Sequence, residues 1–148
     1  LINKMTDKLT PLGIASPEHK RIELPLATES VQAGFPAPNG GYIDGNLDVN
    51  EFLVTSPSST YIYKVSGDSM KDAGIMHGDY VLVDSSREVR NNDIVVASVD
   101  DEFTIKKIVF GKENQLVPCN EEYSSIEINE NSRVVIIGPV ISVVRKYH

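Results

Sequence analysis

Two residues in this chain have the types that could do chemistry together. Ser69 lies in VSGDSM, and Lys106 lies in FTIKK, 37 residues later. Ser69 follows Gly67 and Asp68 and precedes Met70, between the strand-like TYIYKVS and the apolar DYVLVD. Gly, Asp and Ser are also ordinary turn residues, so Ser69 taken alone fits a turn as well as it fits a nucleophile. A nucleophilic serine needs a base to take its proton. Of the three histidines, His77 sits in the polar loop KDAGIMHGD and could pair with Ser69, while His19 and His148 lie near the ends; all three read more simply as solvated side chains. Lysine is the other candidate. Period-two alternation in EFTIKKIVF sends Thr104, Lys106 and Ile108 to one face and Phe103, Ile105 and Lys107 to the other. Apolar neighbours occur on both faces, so at least one of the two lysines should find itself in partly apolar surroundings. Burial disfavours the ammonium and yields a neutral amine able to deprotonate a serine without any histidine. Lys106 is the better choice, with the Thr104 hydroxyl two residues earlier on the same face to orient the amine. The competing reading has both lysines snorkelling to water from an edge strand.

The elements that must hold these groups are mainly strands. TYIYKVS, DYVLVD, DIVVASV, EFTIKKIVF and RVVIIGPVISVVRK are rich in β-branched and aromatic residues and are separated by Gly, Asp, Asn and Ser clusters. Asp100 and Asp101 between the third and fourth of these runs predict a hairpin. LDVNEFLV predicts one short helix, with Asp48 as N-cap and Glu51 three residues on as in a capping box. Before it, FPAPNGG reads as linker, and residues 1–33, interrupted by Pro11, Pro17 and Pro25, read as an extended arm. The expected architecture is a compact, mostly antiparallel β domain over residues 47–148, a linker over 34–46 and an arm over 1–33.

Charge and composition exclude several classes. The 14 basic and 21 acidic residues leave a net charge of -7, opposite to the footprint of a protein whose main partner is nucleic acid. The arm is formally neutral, so this charge belongs to residues 34–148 and points to a protein partner. The single cysteine, Cys119, excludes an internal disulfide framework and a cysteine-based zinc site, and reads as a small buried hydrophobe. No metal or other cofactor is expected. Neither a membrane-spanning run nor the apolar core of a signal peptide is present in the 148 residues, so a soluble, cytoplasmic protein is expected.

Taken together, VSGDSM, the VLVD strand behind it, NDIVVASVDDEFTIKK, the AGFPAP segment and LDVNEFL, in this order and spacing, resemble the LexA/UmuD family of self-cleaving serine/lysine peptidases, most closely its UmuD branch, from about Val31 to Val144. The resemblance implies roles. Ser69 is the nucleophile, Lys106 the general base, and Ala33-Gly34 in VQAGF the self-cleavage site. Residue chemistry agrees: Ala33 suits a tight pocket, and Gly34 lets the backbone approach Ser69 closely. Amides of the Gly67-Asp68-Ser69 turn are the natural oxyanion donors.

LexA-like repressors carry a helix-turn-helix domain ahead of the cleavage site, which 33 proline-interrupted residues cannot supply. The resemblance therefore implies a UmuD-like SOS-response protein without sequence-specific DNA binding of its own. In that family a RecA filament on single-stranded DNA stimulates removal of the arm, and the shortened homodimer serves a UmuC-like Y-family polymerase in translesion synthesis. Two alternatives are a LexA-like cleavable transcriptional regulator and a dimerisation module whose Ser69 and Lys106 no longer meet.

Overall fold

Alternation in the two central runs makes a hairpin. In the computed structural model, which describes residues 8–18, 21, 23–27 and 43–148, strands Ile94–Val99 and Glu102–Val109 pair antiparallel, with Val99 opposite Glu102. Asp100 and Asp101 form the two-residue connection with φ of 49° and 66°. Both lie in the left-handed region, which Asp tolerates better than most residues and which matches the twist of a tight hairpin.

In chain order the strands are β1 (Lys8–Ile14), β2 (Glu23–Ala27), β3 (Ile43–Asp48), β4 (Thr60–Ser66), β5 (Tyr80–Asp84), β6 (Ile94–Val99), β7 (Glu102–Val109), β8 (Asn114–Val117), β9 (Ile126–Ile128) and β10 (Val134–Val144). Eight of them form one antiparallel sheet in the order β1-β4-β5-β10-β6-β7-β8-β9, and β2 pairs with β3 in a small second sheet. The mainly β, antiparallel class expected from the sequence is what the chain adopts. Helix α1 (Val49–Leu53) is the predicted short helix, shorter than LDVNEFLV, and the Asp48 carboxylate accepts from the Glu51 amide at its start.

Strand β10 joins the two halves of the sheet. Its first half pairs with β6 and its second with β5, and the register shifts between Ile136 and Gly138 and again between Val140 and Ser142. Gly138 is required there, because a Cβ would stand 2.7 Å from the Asp84 carbonyl oxygen, inside van der Waals contact. The buried apolar side chains form two clusters. Leu9, Tyr63, Val65, Met70, Ile75, Val81, Val83, Val96 and Ile105 fill one, and Val95, Ala97, Ile108 and Leu116 the other. Neighbours Val95 and Val96 fall in different clusters, as the pleat demands.

Within residues 1–33 the described strands are β1 and β2. What the sequence does not suggest is that β1 is hydrogen-bonded along β4, from Lys8 opposite Ser66 to Ile14 opposite Tyr61. Leu9 of β1 is 6% exposed and belongs to the core. Residues 43–46, which read as linker in the sequence, are the first part of β3.

One ion pair ties the end of the chain to the loop between β4 and β5. Arg145 grips the 1%-exposed Asp79 carboxylate with two hydrogen bonds of 2.7 Å and donates to the Gly74 carbonyl. Its hydrogen bonds hold the Asp79 carboxyl below the usual carboxylate range, against the opposing effect of burial. A depressed folded pKa contributes stability that is fully present above the unfolded value near 3.8 and is lost as pH falls through the folded one. Arg145→Met should therefore lower the melting temperature by several degrees at pH 7, and by less at pH 3. Thermal unfolding followed by circular dichroism at both pH values measures this; an equal loss at both would show that the pair contributes nothing linked to protonation.

Candidate active site

Strand β4 ends at Ser66 and the chain turns at once. Gly67 has φ of 106°, a conformation L side chains rarely adopt, which explains glycine at the head of the turn. Its amide donates to His77 Nδ1 at 3.0 Å, and the Asp68 amide donates to the Tyr123 hydroxyl at 3.3 Å. Lys71 N–H returns to the Asp68 carbonyl at 3.1 Å, closing the turn into a short 3-10 segment, Lys71–Ala73. Met70, 1% exposed, drives its side chain into the core directly beyond Ser69. The residue types of GDSM thus have separate physical tasks: Gly67 turns the chain, Met70 anchors it, and Ser69 is held between them.

Ser69 is 1% exposed and Lys106 4% exposed. Lys106 Nζ lies 3.2 Å from Ser69 Oγ, 2.7 Å from Thr104 Oγ1 and 3.1 Å from the Ile105 carbonyl oxygen. Ser69 Oγ is also 3.4 Å from that carbonyl. Thr104 and Lys106 share a face of β7, as the alternation predicts. Lys107, half-buried, sits opposite Ile94 on one side and Val117 on the other. His77, the other candidate base, is exposed and turned to the Gly67 amide. Ala33, Gly34 and His19 lie outside the described residues.

Taking a proton from a serine is chemically feasible in this arrangement. A neutral amine has two N–H donors and one lone pair. Thr104 Oγ1 and the Ile105 carbonyl, the two nearer oxygens, can accept the two N–H groups, which directs the lone pair at Ser69 Oγ. An ammonium must instead give all three contacts as donor, in a place that burial makes costly for charge.

The turn expected to supply oxyanion donors differs in one respect from the sequence reading. The Gly67 amide is engaged by His77 and the Asp68 amide by the Tyr123 hydroxyl, so it is the part of the turn after Asp68 that can face a substrate carbonyl. Sequence reasoning also missed the segment 119–123, which grips the turn from outside. The Cys119 amide donates to the Ser69 carbonyl at 2.7 Å, Asp72 N–H donates to the Cys119 carbonyl at 2.9 Å, and Asn120 Nδ2 donates to the Asp68 carbonyl at 2.8 Å. The Cys119 side chain is half-buried against the core, close to its expected role as a small hydrophobe. Nothing in PCNEEY distinguishes Asn120 from a loop residue; its 6% exposure does.

An apolar hollow of about 510 Å³, lined among others by Ala15, Leu53, Tyr80 and Val144, shares no residue with this site. No helix among the described residues is long and apolar enough to cross a membrane.

Residues 25–141 match the family described as Peptidase S24-like. Among curated proteins, the chain is 34% identical to protein SamA of Salmonella typhimurium over 137 residues, covering 91% of this chain and 96% of that protein. It is 35% identical to protein MucA of Escherichia coli over 119 residues, covering 80% and 82%. With protein ImpA of Shigella flexneri it shares 36% identity over 97 residues, covering 66% and 67%.

Proposed function

Because the chain belongs to the Peptidase S24-like family, as a UmuD-like member of it, we propose that it is a self-cleaving serine peptidase of the SOS response, working in the cytoplasm. Its substrate is its own Ala33-Gly34 bond. The observation that carries this reading is the buried 3.2 Å approach of Lys106 Nζ to Ser69 Oγ.

In the proposed reaction the neutral Lys106 amine takes the Ser69 hydroxyl proton as Oγ attacks the Ala33 carbonyl carbon. The carbonyl π electrons move to oxygen and a tetrahedral oxyanion forms, facing backbone amides of the turn at Ser69 and Met70. Collapse of this intermediate breaks the Ala33-Gly34 bond. Lys106 returns its proton to the departing Gly34 amine, and residues 1–33 remain as an ester on Ser69. Water then gives a proton to Lys106 and its oxygen to the ester carbonyl. Collapse of the second intermediate releases the Ala33 carboxylic acid, which loses its proton to solvent, and restores Ser69 as the proton on Lys106 passes back to Oγ. Thr104 acts throughout as an acceptor that orients the amine.

We assign the stimulus to a RecA filament on single-stranded DNA, and the product to a homodimer that is an accessory subunit of a UmuC-like Y-family polymerase in translesion synthesis. Physical support for a switch comes from β1. Removing residues 1–33 takes away the strand along β4 and the core residue Leu9, leaving a row of unpaired backbone groups and an apolar gap at the edge of the sheet. Such an edge is a surface a protein partner can pair with. Accordingly, shortened protein produced by self-cleavage should bind and stimulate the polymerase at least about tenfold better than uncut Ser69→Ala protein. Equal performance of the two would overturn the switch. Mass spectrometry of the incubated protein, with and without activated RecA filament, tests the cleavage itself by looking for a product beginning at Gly34.

A further inference from the structure

The segment 119–123 holds the nucleophile turn by its carbonyl groups, and that constrains where the turn's amides point. In a trans peptide the C=O and the following N–H point in opposite directions. Asn120 Nδ2 fixes the Asp68 carbonyl at 2.8 Å, so the Ser69 N–H is turned to the other side of that peptide plane. The Cys119 amide fixes the Ser69 carbonyl at 2.7 Å, which turns the Met70 N–H in the same manner. Both peptide planes adjoining the Ser69 backbone are thereby locked from one side.

The Asp68 carbonyl also accepts from the Lys71 N–H at 3.1 Å, within the turn itself, and of these three bonds only that of Asn120 acts through a side chain and reaches in from outside the turn. The orientation of Asn120 is itself set, because Oδ1 accepts from the Glu122 amide at 3.0 Å and leaves Nδ2 toward Asp68. The Tyr123 amide closes the same turn on the Asn120 carbonyl at 3.2 Å. An asparagine that is 6% exposed and bonded through both ends of its amide is positioned closely enough to impose an orientation on a neighbouring peptide.

We infer that Asn120 is a positioning residue for self-cleavage: by holding the Asp68 carbonyl it aims the Ser69 amide at the developing oxyanion and prevents that peptide from flipping. This rests on the serine/lysine reading of Ser69 and Lys106. Asn120 touches no reacting atom and takes no part in proton transfer.

Asn120→Asp is the informative variant. It keeps the acceptor for the Glu122 amide, replaces the donor to Asp68 with an oxygen, and favours the flipped peptide. In the full-length chain, self-cleavage at its alkaline plateau should fall by about 100-fold, the lower end of the range for loss of one oxyanion donor. The pH at which the rate is half its plateau, set by Lys106, should not move, and the amide proton resonance of Ser69 should shift. A merely structural role would change the melting temperature and leave the plateau of the folded fraction alone. Should Asn120→Asp not fold, Asn120→Ala carries the same test, since it removes the donor without burying a charge. A plateau within twofold of the parent, while Ser69→Ala still abolishes cleavage, overturns this inference and leaves the peptidase reading standing. If the parent chain does not cut itself at any pH, that reading fails and the inference with it.

Discussion

Ser69→Ala and Lys106→Ala should each slow self-cleavage by about ten-thousand-fold or more, with no product beginning at Gly34 visible by mass spectrometry over days. Removing a member of a nucleophile-base unit costs on that scale because neither group is useful without the other. The double variant should be little worse than either single one. Lys106→Arg should be as inactive as Lys106→Ala, because a guanidinium stays protonated and cannot act as a base. Fold is not at stake in these losses: Ser69→Ala removes one buried hydroxyl, and Lys106→Ala removes a buried amine whose charged form is costly to keep there. Lys107→Ala is the internal control. Its side chain springs from the opposite face of β7, and cleavage should stay within about threefold of the parent. Equal loss from the two lysine variants would remove the geometric basis for choosing Lys106.

Raising the pH should accelerate cleavage about tenfold per unit, starting near neutrality, until the rate levels off. The sign follows from the chemistry of the base. Only the neutral amine can take the Ser69 proton, so the active fraction grows with pH up to the pKa of Lys106 and is constant beyond it. Burial at 4% exposure disfavours the ammonium, which places the plateau below the ordinary lysine value near 10.4. Timed sampling between pH 6 and pH 10, with the cut and uncut chains resolved by electrophoresis, gives the profile. A histidine base would instead give a rise complete by about pH 7.5, and His77→Ala would abolish it. Because His77 accepts from the Gly67 amide, His77→Ala should cost only what a loosened turn costs, about threefold or less. A rate flat from pH 7 to pH 10 would overturn the expected rise.

The parts legible in the chain are those governed by local periodicity. Five strands, the hairpin at Asp100 and Asp101 and the Asp48-capped helix are all encoded within runs of fewer than about fifteen residues, because side-chain alternation, β-branching and capping act over that distance. The same alternation is enough to place Lys106 and Lys107 on opposite faces of their strand. β8 and β9, NQLV and IEI, escaped because four and three residues are too few to display a period. β1 escaped for a different reason: Pro11 and Gly13 argue against a strand. The chain accommodates them at the outer edge of the sheet, where the register shifts between those two residues.

What tertiary structure alone decided is which distant groups meet. That Lys106 Nζ stands 3.2 Å from Ser69 Oγ, that Arg145 closes on Asp79, and that Gly138 lets β10 pass the Asp84 backbone all depend on how the curled sheet brings separate segments together. Asn120 is the clearest case. In PCNEEY it is one polar residue among several, with no spacing or neighbour to set it apart. Its contact with the Asp68 carbonyl exists because β7 and β8 carry the 119–123 segment over the turn that follows β4. Residue chemistry and local period are written along the chain, whereas the orientation of a peptide plane is set by partners some fifty residues away, and only packing determines who those partners are.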